Sequence, residues 1–311
     1  MFGRGVISTI YGWALEQAGH DVHFLVRPGR AAQHGDGVEL DVLDARRRPW
    51  GERVVRSWPM RFLEQLDPDH DFDLIILSVG HHRLPAAAEF LAPRVGTAIV
   101  LIFGSVWTEP TEATAPLPAE QLAWGFPQAG GGFDSDGALR GALLRTVVLG
   151  TFGTRPTSRE RTVRRMFSDA GLRISEQPDM RGWLWAHFVA DAGMHAQGVQ
   201  LGSLSDMIGR PASFREALLT SRELLPVLEA RGVDLRRHRS GTISFRAPAG
   251  LMAPVMSLIT AWIPLANASL AAHTDPQAEE PRHIVQDVLA EARRLGVPTP
   301  RLDAAGAAIP P

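Results

Sequence analysis

Six residues near the start of the chain, Gly3-Arg-Gly5-Val-Ile-Ser8, restrict what it can fold into more than any other stretch. They fit the turn that carries a parallel strand into a helix around a nucleotide pyrophosphate. The first glycine permits the tight turn, and the second lets a pyrophosphate approach the backbone at the helix N-terminus. The third position, here Ser8, needs only a small side chain for close helix packing. The residues just after the turn strengthen the pattern. Ile10 to Ala18 has helical spacing, Gly19-His20-Asp21 reads as a turn, and the apolar run to Val26 reads as a strand. Only Met1 and Phe2 precede the turn, so the sheet's first strand is expected to be nearly missing.

The residue after that run, 24 positions beyond Gly3, is Arg27. An acid there would accept the ribose hydroxyls of NAD, whereas Arg27 and Arg30 suit a 2′-phosphate and favour NADP(H). The competing reading is a solvated basic loop.

Asp73–Val79, Thr97–Phe103 and Arg145–Gly150 read as further strands, and Leu84–Leu91 and Thr157–Ala170 as helices. Gly130-Gly-Gly132 reads as a flexible loop. Near Pro178 the pattern turns helical, through Trp183–Val199, Phe214–Arg231, an uncharged stretch from Ala247 to Ala272, and Pro281–Leu295. The expected architecture is α/β. A Rossmann-type parallel sheet domain (1–178) binds the dinucleotide, and an all-helical domain (179–303) serves substrate binding or dimerisation. The tail, 304–311, is expected to be disordered.

Composition removes several chemistries. The chain has no cysteine, which excludes disulfides and thiolate catalysis. It has no lysine, so all 32 basic residues are Arg, and no Schiff base or Tyr–Lys pair can form. Acid–base work falls to His, Asp, Glu or a hydroxyl. A formal net charge of -2 gives no reason to expect nucleic acid as a partner. The uncharged stretch is long enough to span a bilayer, but Pro248, Pro254, Pro264 and Asn267 interrupt it. It is read as a buried helix pair or dimer interface, not a membrane span. With a Gly-rich turn directly after Met1, no signal peptide is seen and a cytoplasmic location is expected.

Taken with Ala18-Gly-His-Asp-Val22, Leu25-Val-Arg27 and Gly296-Val-Pro-Thr-Pro300, the opening motif resembles the ketopantoate reductase (2-dehydropantoate 2-reductase) family over nearly the whole chain. The resemblance implies NADPH-dependent reduction of a 2-oxo acid and a C-terminal domain like that of 6-phosphogluconate dehydrogenase. It implies cofactor contacts from Gly3, Gly5, Val6, Ile7, Arg27, Arg30 and Gly80, the last standing where the family has Lys. It also puts Glu280 at the family's substrate-binding acid. Most catalytic positions are replaced. The family's Trp-x-Lys-Leu helix with two following Asn becomes Trp185-Ala-His187, Asp191 and His195, and its Gln-Asn-Gly becomes Ile102-Phe103-Gly104.

His187, Asp191 and His195 fall at i, i+4 and i+8 on one helix face, so Asp191 can orient His187 as a general acid. The helix rises about 12 Å from His187 to His195, too far for one ion to take both, so no metal site is assigned. The expected roles are His187, Asp191 and Glu280 in catalysis, with His195, Phe103 and Trp185 meeting the substrate. The resulting reading is an NADPH-dependent reductase of a small carbonyl or unsaturated molecule, larger and more apolar than ketopantoate. A homodimer is the expected assembly. The alternatives are a redox-neutral enzyme, such as a cyclase or isomerase, and a nucleotide-binding protein that transfers no hydride.

Overall fold

The structure is a computed structural model and describes residues 1–271 and 279–309. Two units divide the chain: Met1–Gly104 with Thr108–Met180, and Ser105–Trp107 with the residues from Arg181 onward.

In the first unit the glycine turn leads into α1 (Val6–Glu16), β1 (His23–Leu25) and the short α2 (Ala31–His34). Next along the chain are β2 (Gly37–Asp44), β3 (Glu52–Pro59), β4 (Arg61–Leu63), β5 (Leu74–Leu77) and α3 (Leu84–Leu91). Then come β6 (Ile99–Phe103), α4 (Pro110–Ala113), β7 (Leu122–Phe126), β8 (Ala129–Phe133) and β9 (Leu139–Leu143). The unit ends with β10 (Thr146–Gly150), α5 (Ser158–Asp169) and β11 (Arg173–Gln177).

Strands β5, β6 and β7 pair in parallel, and β10 adds to β7 antiparallel before β11 closes that edge. Strands β1 and β4 form a separate parallel pair. Phe2 joins the two pieces through parallel bridges to Leu25 and Leu77. Its N–H donates to Ile76 O (2.9 Å), Gly3 N–H donates to Leu25 O (2.9 Å), and Leu25 N–H donates to Met1 O (2.9 Å). The sheet's first strand is thus a single bridging residue. Beside it lies a cavity of about 310 Å³, lined among others by Met1, His23, Leu25, Leu74 and Ile76. The terminal amine donates to His23 O at 2.7 Å, and burial lowers its pKa to about 5.

A second sheet runs in the order β3-β2-β9-β8. It corrects the expectation of a flexible loop at Gly130–Gly132, which form part of β8. A Cβ on Gly131 would run into the Arg140 carbonyl oxygen, and one on Gly141 into that of Gly130. Glycine serves here to let two strands approach, not to loosen the chain.

The core of this unit gathers Tyr11, Phe103 and Phe167, with ring centroids 4.8–5.8 Å apart. Gln128 N–H donates to the Tyr11 hydroxyl at 2.9 Å, and burial pushes the phenol pKa upward. Helix α5 starts where its sequence dictates. Glu160 N–H donates to Thr157 Oγ1 (3.2 Å), and Thr157 N–H donates to Glu160 Oε2 (2.7 Å), a reciprocal cap.

The second unit is helical: α6 (Met180–Leu201), α7 (Pro211–Glu223), α8 (Leu225–Ala230), α9 (Arg239–Arg246) and α10 (Ala249–Trp262). Its remaining helices are α11 (Pro264–Ala271), α12 (Glu279–Arg294) and α13 (Pro300–Ala307). The single helix expected over 214–231 is broken, because Pro226 has no N–H to continue the ladder and starts α8 instead. Gly296, with φ +67°, ends α12, and Glu223 caps α13 by accepting from Arg301 N–H (3.0 Å) and Leu302 N–H (3.1 Å). Helix α13 runs to Ala307 and buries Ala305, so the expected disordered tail is partly helix. Residues 310 and 311 of that tail, and Ala272 at the end of the uncharged stretch, lie outside the described residues. Helices α6 and α7 meet closely at Gly193, where a Cβ would overlap Ser221 Oγ and Ala217 O.

Among the described residues no single helix is long and apolar enough to cross a membrane. Helices α9 and α10 pass together by length and composition but are bent by 105°.

Candidate functional site

Gly3 has φ +86°, which only glycine adopts freely, and this turns the chain from the short first strand into α1. A Cβ built on Gly3 or Gly5 would meet nothing within 4 Å, so open space lies over the turn. Thr9 N–H is the first to reach back into the helix, to Gly5 O at 2.9 Å, and no side chain caps α1. The amides of Val6, Ile7 and Ser8 therefore have no carbonyl within the helix and present a positive helix end. This turn fits a dinucleotide pyrophosphate, and a bound nicotinamide nucleotide would rest on it. Gly80 follows β5 and starts the 3₁₀ turn at His81–Arg83. Leu77 of β5 bridges Phe2, so Gly80 lies on the carboxyl side of the same strands.

Arg27 and Arg30 are exposed on the turn after β1. The turn is held from β4. Glu64 Oε1 accepts from Ala31 N–H at 2.9 Å, and bonds from the backbone N–H of Gly29, Ala31 and Arg30 keep its carboxyl below the usual range. Arg30 also donates to Gln33 Oε1 at 2.7 Å. Glu64 has no sequence signal, because the pairing of β1 with β4 must be known before its carboxylate can be put under the turn.

In the second unit, α6 carries Trp183, His187, Asp191 and His195 on one half-exposed stripe. The Trp183 and His187 rings are stacked, with centroids 5.0 Å apart and planes 5° from parallel. His187 Nε2 lies 3.5 Å from Asp191 Oδ2, an ion-pair distance longer than a good hydrogen bond. Glu280 is exposed in the first turn of α12.

Two expected substrate contacts are corrected. Phe103 is fully buried in the core of the first unit, against Tyr11 and Phe167, and offers no surface to a ligand. Trp185 is only 4% exposed. The Arg231 guanidinium lies 3.7 Å from its ring and 4.0 Å from the ring of Trp107, while Arg181 lies 5.1 Å from Trp185. Arg231 donates to Trp107 O (2.7 Å), and its Nε is 3.6 Å from Glu291 Oε1. Bonding from Arg294 and the charge of Arg231 hold the Glu291 carboxyl below its usual range. Trp185 thus belongs to a buried cation–aromatic stack. Among the described residues no three His, Asp or Glu side chains gather as a metal ion would need.

Residues 1–153 match the family model described as ketopantoate reductase PanE/ApbA. This part of the chain is a ketopantoate reductase-family domain. No curated protein matches the sequence. Among solved structures, 2-dehydropantoate 2-reductase from Geobacter metallireducens is 19% identical with a TM-score of 0.67, over 99% of this chain and 97% of its own. The 2-dehydropantoate 2-reductase from Porphyromonas gingivalis is 15% identical with a TM-score of 0.64, over 98% and 96%. A D-mandelate dehydrogenase, solved with NADH and anilino(oxo)acetate, is 14% identical with a TM-score of 0.70, over 99% and 96%. At these identities the likeness is one of fold. The α/β unit with a helical C-terminal region matches the ketopantoate reductase fold of these structures.

Proposed function

We propose that the protein is an NADPH-dependent reductase of a carbonyl compound, with His187 as the proton donor. The observation that carries this reading is the setting of His187, stacked on Trp183 and 3.5 Å from Asp191 on the stripe where the family has its general acid. A nicotinamide held at the glycine turn would supply hydride to the carbonyl carbon. His187 then supplies the proton for the carbonyl oxygen. Asp191 Oδ2, 3.5 Å from Nε2, orients the imidazole toward a substrate oxygen within hydrogen-bond reach. Gly3, Gly5 and the amides of Val6 and Ile7 hold the pyrophosphate, and Arg27 and Arg30 take the 2′-phosphate. Glu280 and His195 remain the candidates for substrate contact.

Burial of Phe103 and Trp185 leaves Trp183 as the aromatic surface for the organic part of the substrate. A 2-oxo acid with an aryl group is the first class to try, since the mandelate dehydrogenase neighbour holds such a molecule. The test uses NADPH deuterated at the transferred position. Deuterium at the product carbinol carbon, lost with turnover in His187→Ala, supports the reading. Turnover that leaves no deuterium in the product points to a redox-neutral enzyme instead.

Leu251, Val255, Leu258, Ile259 and Trp262 form an exposed apolar stripe on α10, with Trp262 78% exposed. This stripe supports a homodimer. Light scattering on Leu258→Glu should show dimer going to monomer, and a monomeric wild type would dismiss the dimer.

A further inference from the structure

Between β6 and α4 the chain leaves its own unit for three residues. Phe103 ends β6 in the core of the first unit, Ser105–Trp107 belong to the helical unit, and Thr108 is back in the first. Val106 is 1% and Trp107 5% exposed, so this segment is a plug and not a surface loop. The Trp107 ring stacks on Phe188 of α6, with centroids 4.9 Å apart and planes 19° from parallel. The Arg231 guanidinium lies against the rings of both Trp107 and Trp185, while the same side chain donates to Trp107 O and faces Glu291 of α12. A guanidinium is flat and always charged, so it can stack on indoles and still donate in its own plane. Trp185 and Phe188, three positions apart, lie on the buried side of α6, and His187 lies on the half-exposed side. Two anchors on one side of a helix fix its rotation about its own axis, and with it the direction of the residues on the other side. A roll of about 20° shifts a side-chain atom, about 5–6 Å from the axis, by about 2 Å. A misplacement of about 1 Å can already cost about a hundredfold in rate.

We propose that Trp107 and Arg231 are positioning residues, which hold α6 at the rotation that aims His187 at the substrate carbonyl. The proposal rests on the reading of His187 as proton donor. Both residues pack on the buried side of α6, away from the stripe that carries His187, so they act on the reaction only through that side chain. Trp107 supplies the ring that meets Phe188 and the carbonyl that Arg231 holds. Arg231 ties that carbonyl to Trp185 on one side and to Glu291 on the other. Removing either residue frees one of the two anchors and leaves the helix itself in place.

The experiment measures NADPH consumption with benzoylformate, the simplest aryl 2-oxo acid, for wild type, Arg231→Met, Trp107→Leu and Trp107→Phe, each also in a His187→Gln background. Far-UV circular dichroism and urea midpoints identify the variants whose helical unit stays folded. Arg231→Met and Trp107→Leu should each lower kcat about tenfold or more and change KM less than about threefold, with NADPH affinity unchanged. Trp107→Phe, which keeps a ring on Phe188 and the carbonyl for Arg231, should retain most of kcat. In the His187→Gln background none of the three should lower kcat further. If Arg231→Met does not fold, Arg231→Lys, which keeps the charge but not the flat face, replaces it with the same expectation. A wild type inert toward benzoylformate, or a His187→Gln variant that keeps the wild-type kcat, overturns the reductase reading and the positioning role with it. Folded Arg231 and Trp107 variants with the wild-type kcat overturn the positioning role alone. Losses of equal size with and without His187 would mean that the pair serves only stability, which also overturns that role alone.

Discussion

The His187 imidazole lies flat on the Trp183 indole, with centroids 5.0 Å apart and planes 5° from parallel. A stacked ring is held in one orientation, and an imidazolium over an indole gains a cation–π attraction that a neutral ring does not. Trp183→Leu should therefore lower kcat about tenfold with a smaller effect on KM, measured with whichever carbonyl substrate the deuterium assay identifies. An unchanged kcat would show that the stack is only packing.

Asp191 acts on the reaction only through His187, so the two should be strongly non-additive. Asp191→Asn should reduce kcat/KM by about one to two orders of magnitude and His187→Gln by about two to three. The double variant should be no worse than His187→Gln. Losses that multiply would separate the residues and assign Asp191 a direct contact with substrate.

The crossing of α6 and α7 at Gly193 leaves no room for a side chain, since Ser221 Oγ and the Ala217 carbonyl occupy the space a Cβ needs. Gly193→Val should destabilise the helical unit by about 3 kcal/mol or more, seen as a lower urea midpoint. Gly241→Ala, where a Cβ meets nothing within 4 Å, is the matched control and should be nearly neutral.

The buried amine of Met1 makes stability depend on pH. Its folded pKa of about 5 is below the ordinary 8.0. Between pH 8 and 5 the unfolded chain holds a proton there that the folded chain does not. Stability therefore falls as pH drops through that window and levels off below it, by about 4 kcal/mol at most. Urea unfolding at pH 8, 6.5 and 5 should show this slope for the free amine, and a flatter one after acetylation. Equal slopes would mean that the amine is solvated in the folded protein.

The parts of the fold legible in the sequence are those with strong periodicity or special residues. Gly3 to Ser8 signal the nucleotide turn, the apolar runs signal β5, β6 and β10, and the switch near Pro178 signals the helices. The second sheet is hidden because β3 is largely exposed and carries Glu52, Arg53 and Arg56, while β8 is mostly glycine. Neither reads as a strand without its partner. Phe103 reads as a pocket wall because its place next to Gly104 is visible in the sequence and its inward direction is not. The α6 stripe is legible from four-residue spacing alone. Glu64, Trp107 and Arg231 are not, because each depends on contacts between residues 33 or more positions apart.

Elsewhere in the main sheet neighbouring strands share several rungs, but the β1–β4 pair is fastened to β5 by the one rung at Phe2. That is a seam, and it runs directly beneath the nucleotide turn. Arg27, Arg30 and Glu64 lie on one side of it, and Gly80 on the other. A ligand that touches both sides would act as a clasp, so closing the seam and filling the site become a single event. The amides of β1 should then exchange with solvent faster than those of β6 in the free protein, and slow most when the site is filled.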